Sequence, residues 1–199
     1  MRRIGVLALQ GAFDRHAQVL SSIGAEPILV RTTADLEGLA GLVFPGGEST
    51  VQLELMRRLD LEAPLRQVVA SACPVLATCA GLILLATRVS QPEQRGLGLI
   101  DVHVARNAWG RQVDSFESVS DGGRALVFIR APRILETGSG VEILDRFRGE
   151  PVLVRQGNVT CATFHPELTL DAGVHRMVFA ACLDEPVTRR RTHESRLAS

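Results

Sequence analysis

Short apolar runs alternate with longer amphipathic stretches through the first half of the chain. Continuous apolar runs bounded by turn residues are typical of buried strands, and here they predict strands over residues 4–9, 27–30, 42–44 and 75–77. Apolar residues at helical spacing predict helices over residues 14–23, 51–59 (with a continuation through 63–70) and 80–87. Because strands alternate with helices, we expect right-handed crossovers and a parallel sheet.

The pattern changes after residue 99, where short apolar segments follow one another between glycine and proline turns. These segments predict strands over residues 100–105, 115–119, 125–129, 141–144, 152–155 and 161–164, and a final helix covers 174–183. Consecutive strands need hairpins, so this half should add antiparallel strands. We therefore expect an α/β fold with a mostly parallel central sheet, helices on both faces, and antiparallel strands in the second half.

Length and charge narrow the classes of function. The chain has 199 residues, with 22 basic and 22 acidic side chains and a net charge of zero, which argues against nucleic acid or an anionic membrane as the main partner. No apolar run approaches the about 20 residues of a membrane span. We expect residues 1–185 to form one domain and the arginine-rich residues 186–199 to form a flexible basic tail.

Four cysteines lie in apolar stretches, at positions 73, 79, 161 and 182, without the spacing of metal ligands. Free thiols in a reducing cytoplasm fit this arrangement better than disulfides. The start of the chain leads straight into a strand and has no signal-peptide pattern, so we expect a cytoplasmic protein with no metal site.

Cys79 stands between an apolar strand and a predicted helix, which is the context of a nucleophile elbow. The small residues Ala77 and Gly81 let the backbone turn tightly on either side. A helix N-terminus favours negative charge, so a thiol placed there is activated as a nucleophile. An ordinary buried cysteine is the competing interpretation.

His165 and Glu167 follow the apolar run that ends at Phe164. Alternate residues of an extended segment point to the same side, so Glu167 can hydrogen-bond His165. A thiolate needs a base and the base needs an orienting group, and Cys79, His165 and Glu167 supply all three. Taken singly, His165 could be a core or capping residue and Glu167 a solvated acid.

A glycine-rich turn follows the predicted strand over residues 42–44. Gly46 and Gly47 free the backbone to aim N–H groups outward, as an oxyanion hole requires, and Ser49 or Thr50 should cap the next helix. A plain strand–turn–helix connection is the alternative. A phosphate-binding loop is disfavoured because no Gly-Lys-Ser/Thr sequence follows.

These motifs resemble the class I glutamine amidotransferases, and within them the glutaminase subunits of pyridoxal 5′-phosphate synthases. The resemblance covers residues 3 to 183 and rests on the stretches 4–11 (IGVLALQG), 45–50 (PGGEST), 78–82 (TCAGL), 106–107 (RN), 110–117 (GRQVDSFE), 128–132 (FIRAP) and 164–167 (FHPE). The elbow and the His-x-Glu pair are common to the superfamily, whereas 110–117 and 128–132 are specific to the branch.

The resemblance implies hydrolysis of the side-chain amide of L-glutamine, without a cofactor. Cys79 would be the nucleophile, His165 the acid and base, and Glu167 its orienting group, with the backbone N–H groups of Gly47 and Ala80 as oxyanion donors. The glutamine pocket would consist of Gly46, Gly47, Glu48, Ser49, Arg106, Ile129 and Arg130.

A partner is also implied: a TIM-barrel synthase that receives the ammonia within a large hetero-oligomer and builds the pyridoxal phosphate ring. Residues Gln10, Gly11 and Ala12 would contact it. The Gly46-Gly47 turn has no internal lock evident from sequence, so docking would select its productive conformation. Two alternatives remain: a stand-alone cysteine hydrolase such as a γ-glutamyl hydrolase, and a catalytically idle regulatory protein on the same fold.

Overall fold

The computed structural model describes residues 1–106, 108, 115–169 and 171–184. The predicted tail, and the parts of the resemblance at Asn107 and 110–114, lie outside these ranges. The strands are β1 (Arg3–Leu7), β2 (Glu26–Val30), β3 (Gly41–Phe44), β4 (Val75–Thr78), β5 (Ala86–Ser90), β6 (Ile100–Ala105), β7 (Ser115–Val119), β8 (Ala125–Ile129), β9 (Arg133–Thr137), β10 (Glu142–Phe147), β11 (Glu150–Gln156) and β12 (Val159–Ala162). The α-helices are α1 (Phe13–Ser22), α2 (Ser49–Arg58), α3 (Glu62–Ala70), α4 (Ala80–Leu85) and α5 (Gly173–Asp184).

A seven-stranded sheet in the order β10-β11-β12-β4-β3-β1-β2 forms the centre of the molecule. The five strands from β12 to β2 run parallel, whereas β10 and β11 pair antiparallel at one edge. The predicted mixture of a parallel sheet with later antiparallel strands is therefore confirmed.

Side chains of the central strands alternate between two hydrophobic cores, one on each face of the sheet. In β3, Leu42 and Phe44 join the core that contains residues of α2, α3 and α4, while Val43 joins the core under α1 and α5. Helices thus cover both faces, as the apolar runs predicted, because a strand buried on both faces shows no polar alternation.

Two smaller sheets complete the fold. Strands β5, β6 and β9 form one, against the core of α2 to α4, and the hairpin β7–β8 packs on the opposite face through Leu126 and Phe128. Within the described ranges, no helix has the length and apolar character needed to cross a membrane.

The structure differs from the predicted elements at three places. The helix expected over residues 80–87 ends at Leu85, and β5 begins at the next residue. The helix expected to continue from 51–59 into 63–70 is two helices, because Asp60 adopts a left-handed conformation (φ 52°) that ends α2. Strand β9 was not predicted.

Candidate active site

The predicted reactive residues meet at one edge of the central sheet. Strands β1, β3, β4 and β12 are parallel neighbours, so their carboxyl ends lie together. Gln10 follows β1, the Gly46-Gly47 turn follows β3, Cys79 follows β4 and His165 follows β12. This edge is where ligands bind in open parallel sheets.

Cys79 occupies the tight turn between β4 and α4. Its backbone is in the left-handed region (φ 48°), which a residue with a side chain adopts only under constraint from its surroundings. The Cys79 N–H donates to the carbonyl of Ala162 at 2.9 Å, which extends the β4–β12 ladder into the turn. The Cys79 Sγ lies 3.8 Å from the carbonyl oxygen of Ile129 and borders the cleft. The geometry is that of a nucleophile elbow.

His165 and Glu167 form a buried pair just beyond β12. The His165 Nδ1 lies 2.6 Å from the Glu167 Oε1, and the His165 backbone N–H donates to the Val127 carbonyl. Burial lowers the pKa of His165, but hydrogen bonds to Cys79 and Glu167 and their negative charge outweigh it and raise the pKa to about 10. His165 therefore carries a proton at neutral pH, and it lines the same cleft as Cys79.

The pKa of Glu167 is lowered, although burial acts in the opposite direction. Electrostatic attraction to the His16 ring and the hydrogen bond and charge of His165 produce this net shift. Glu167 is thus held as a carboxylate, which can only accept hydrogen bonds.

The Gly46-Gly47 turn packs directly on His165. A Cβ atom on Gly46 would lie 2.3 Å from the His165 Cε1, so only glycine fits there. The expectation that this turn has no internal lock was wrong. The Ala12 N–H donates to the Gly46 carbonyl at 3.0 Å, and the Glu48 N–H donates to the Gln10 Oε1 at 2.6 Å.

A cleft of about 140 Å³ opens above these residues. Most of the predicted site borders it, together with Ile83, which was not predicted. The predicted residues that line it are Gln10, Gly47, Glu48, Ser49, Cys79, Arg106, Ile129, Arg130 and His165.

The other predicted residues lie around the cleft rather than on its surface. Gly46 and Glu167 contact the imidazole of the predicted base from behind. Ala80 is buried at the start of α4. Gly11 packs against the glycine-rich turn, and Ala12 caps α1. These residues therefore support the cleft through the backbone or through a residue that lines it.

The two predicted arginines differ in their contacts. The Arg106 guanidinium lies 3.0 Å from the Glu48 Oε1 and 3.3 Å from the Thr50 Oγ1. Arg130 is exposed, adopts a left-handed backbone (φ 44°), and has no ion pair within the described part of the chain. Of the two, Arg130 is thus the one whose charge is available to a ligand.

The cap of α2 differs from the prediction. Glu48, rather than Ser49 or Thr50, is the N-cap residue, and its side chain accepts from the Thr50 N–H. The hydroxyl of the buried Ser49 instead donates to the Gln94 Oε1 at 2.9 Å. Gln94 was not singled out from the sequence, where it lies in an unpatterned polar loop.

Two further buried histidines, which sequence reasoning missed, lie behind Glu167. The His16 Nε2 is 3.3 Å from the Glu167 Oε2, and the His16 Nδ1 is 2.9 Å from the His175 Nε2. The available signal was weak: His16 shares the apolar face of α1 with Leu20, and His175 that of α5 with Phe179. Across the described ranges, no three His, Cys, Asp or Glu side chains cluster as metal ligands would.

Comparison with known proteins agrees with the family resemblance seen in the sequence. Residues 6–183 match the SNO glutamine amidotransferase family. The chain is 45% identical over 181 residues to the pyridoxal 5′-phosphate synthase subunit PdxT of Thermotoga maritima, covering 87% of this chain and 96% of that protein. It is 50% identical over 180 residues to PdxT of Koribacter versatilis, covering 88% and 93%.

Solved structures agree in fold. A crystal structure of a glutamine amidotransferase shares 45% identity and superposes with a TM-score of 0.84, covering 89% of this chain and 97% of that one. A chain in the structure of PurLQS from Thermotoga maritima has a TM-score of 0.67 at 15% identity, covering 91% and 99%, and at that identity the likeness extends to the fold alone.

Proposed function

The chain belongs to the SNO glutamine amidotransferase family, and from this premise we propose that it hydrolyses L-glutamine and supplies the ammonia for pyridoxal 5′-phosphate synthesis. The observation that carries the proposal is the convergence of Cys79, His165 and Glu167 at the carboxyl ends of β4 and β12. These are the residue types that a cysteine hydrolase needs as nucleophile, acid–base group and orienting group, which supports the proposal.

The Cys79 thiolate attacks the side-chain amide carbon, and the carbonyl electron pair moves to oxygen. The N–H groups of Gly47 and Ala80 stabilise this oxyanion. His165, which is protonated at neutral pH, donates its proton to the amide nitrogen, so that the C–N bond breaks and ammonia leaves.

A γ-glutamyl thioester then remains on Cys79. Water loses a proton to His165 and attacks the thioester carbon, the C–S bond breaks, and glutamate leaves. This step restores the thiolate and the imidazolium. Glu167 holds the ring of His165 in one orientation throughout and stabilises its positive charge.

Recognition of a free amino acid requires groups for a carboxylate and an ammonium. Arg130, exposed at the rim and without an ion pair in the described ranges, suits the carboxylate. Glu48 suits the ammonium, and Arg106 holds its side chain in place. Ser49 and Ile129 complete the proposed pocket wall.

The partner in this proposal is a TIM-barrel synthase within a large hetero-oligomer, in the cytoplasm, where the four free thiols would stay reduced. The loop Gln10-Gly11-Ala12 is the proposed contact. Its bonds to Gly46 and Glu48 support this, because a partner that moves the loop also moves the turn beside His165.

The test supplies glutamine labelled with ¹⁵N at the side-chain amide to the purified chain, with and without its synthase. Labelled ammonia released in the presence of synthase is the expected result. No release under either condition would indicate an idle regulatory protein. Faster cleavage of γ-glutamyl peptides than of glutamine would indicate a stand-alone hydrolase.

A further inference from the structure

Behind the triad, a chain of buried side chains continues from Glu167 into the two helices that cover this face of the sheet. It runs from Glu167 to His16 on α1 and from His16 to His175 on α5. Both histidines are fully buried. A buried polar side chain loses its hydrogen bonds to water, which costs free energy unless partners inside the protein replace them.

The two carboxylate oxygens of Glu167 have different surroundings. Oε1 is bound to His165 at 2.6 Å, whereas Oε2 is buried and has no hydrogen bond of good geometry in the described part of the chain. The His16 Nε2 faces Oε2 at 3.3 Å and also lies 3.1 Å from the Thr78 hydroxyl. His16 thus offers the ring nitrogen that could keep Glu167 from rotating away from His165.

The contacts fix which nitrogen of His16 carries the proton. Burial lowers the pKa of His16, so the ring is neutral, with one donor and one acceptor nitrogen. A carboxylate only accepts, so the proton belongs on Nε2, between Glu167 and Thr78. The Nδ1 is then an acceptor and takes the hydrogen of the His175 Nε2.

The opposite tautomer is worse on two counts. It would aim the lone pair of the His16 Nε2 at the Glu167 carboxylate. It would also leave an N–H on the His175 Nδ1, which is buried and has no partner in the described ranges. In the favoured tautomer the His175 Nδ1 carries no hydrogen, so no buried N–H is left without an acceptor there.

From this geometry we propose that His16 is a positioning residue for the triad: its Nε2–H, beside the second oxygen of Glu167 at 3.3 Å, holds that oxygen by electrostatic attraction, and His175 fixes the tautomer that makes this contact. The proposal rests on the glutaminase function proposed above. It differs from the role of Glu167 itself, because His16 acts on the reaction only through that carboxylate.

The first measurement needs no variant. Imidazole ¹⁵N chemical shifts of the unmodified protein should show the hydrogen of neutral His16 on Nε2 and that of His175 on Nε2. A hydrogen on the Nδ1 of His16 would overturn the proposal.

The second measurement compares two substitutions at one position. His16→Phe keeps a ring but removes the donor, whereas His16→Gln places an amide N–H near the former Nε2. Losing groups that orient metal-bound histidines from behind typically costs about 10- to 100-fold in activity. We expect a fall in kcat on that scale for His16→Phe, an unchanged KM, and recovery of most of the activity in His16→Gln.

The titration of His165, followed by NMR, separates positioning from a merely structural role. With Glu167 no longer held, the His165 midpoint should fall below the value of about 10 of the unmodified protein in folded His16→Phe, and stay near it in His16→Gln. An unchanged midpoint in folded His16→Phe, or equal loss in both variants, would refute the proposal.

A matched control is His103→Phe. His103 contacts Ser90 in the three-stranded sheet and does not line the cleft, so its replacement should leave kcat and the His165 titration unchanged. If the unmodified protein turned over no glutamine even with synthase, the proposed function would fail. The tautomer and the His165 titration would still decide the role of His16.

Discussion

The pKa values of two buried histidines near the cleft, His165 and His175, are shifted in opposite directions because their surroundings differ. Burial lowers the pKa of His165, but hydrogen bonds to Cys79 and Glu167 and their charge raise it to about 10. Burial and, to a smaller extent, the neighbouring His16 lower the pKa of His175 to about 3. The histidine that carries a proton in the proposed reaction is thus the one whose hydrogen bonds and neighbouring charges outweigh the effect of burial on its pKa.

Replacing Cys79 with Ala should reduce glutamine hydrolysis by at least about 10³-fold, because the covalent route is lost. Circular dichroism should show an intact fold, since Cys79 makes its main structural contact through its backbone N–H. The control is Cys73→Ser, a half-buried thiol outside the cleft, which should keep full activity. A folded Cys79→Ala protein with normal turnover would exclude Cys79 as the nucleophile.

Both Glu167→Gln and His165→Asn should slow turnover. The rate of Glu167→Gln should remain about 10²-fold above that of His165→Asn, because loss of an orienting group costs less than loss of the acid–base group. The Gln side chain still accepts from the His165 Nδ1 but no longer offers a negative charge. Single-turnover kinetics of thioester formation measure both effects. Equal rates for Glu167→Gln and the unmodified enzyme would remove Glu167 from the mechanism.

The free energy of unfolding should fall on both sides of about pH 6.5, the ordinary histidine pKa. His165 has a raised folded pKa, so its stabilisation is complete below pH 6.5 and is lost as the pH rises towards about 10. His175 has a lowered pKa, so only the unfolded chain takes up its proton, and stability is lost as the pH falls from 6.5 towards about 3.

Urea unfolding across this pH range tests these signs. His175→Gln should flatten the acid side alone, and His165→Gln the alkaline side alone. An acid side in His175→Gln as steep as in the unmodified protein would contradict this assignment.

At the scale of elements, apolar runs predicted the central strands well because their burial on both faces leaves a plain signal. The strand β5 was misassigned because it follows α4 without a turn residue, so one apolar segment contains two elements. That Cys79 and the His165–Glu167 pair lie at one edge of the sheet could be predicted because they follow the strands β4 and β12. The role of His16 could not be predicted, since its partner Glu167 lies 151 positions away in the sequence, in the short 3₁₀ helix Pro166–Leu168.

Packing between α4 and β3 predicts a sharp effect at Gly81. A Cβ atom there would lie 2.1 Å from the Phe44 carbonyl oxygen, so Gly81→Ala must push α4 away from the sheet. We expect a loss of about 1–3 kcal/mol in the free energy of unfolding, as for other overpacked sites. Gly140→Ala is the control, since its nearest atom would be 3.4 Å away. Equal stability of both variants in urea would show that α4 relaxes freely.

At the scale of the whole molecule, α1 connects the proposed docking loop with the triad. Ala12, at its start, holds the Gly46 carbonyl, and His16, one turn later, faces Glu167. The backbone N–H of His16 also donates to the Ala12 carbonyl oxygen at 3.3 Å. A partner bound to residues 10–12 would therefore act on both the proposed oxyanion turn and the proposed orienting carboxylate of Glu167 through one helical turn.

This connection predicts that glutamine hydrolysis depends on the synthase. We expect the isolated chain to hydrolyse glutamine slowly. The loop at residues 10–12, and not the bound substrate, determines the conformation of the Gly46-Gly47 turn. Titration with synthase should raise the rate until it saturates, since a partner that binds the active form better shifts the population towards it. Gln10→Ala removes the acceptor of the Glu48 N–H and should reduce the stimulated rate more than the unstimulated one. The Cys79→Ala variant with saturating synthase is the control that measures background ammonia release. A fast isolated chain whose rate does not respond to synthase would break the proposed coupling and favour a stand-alone hydrolase.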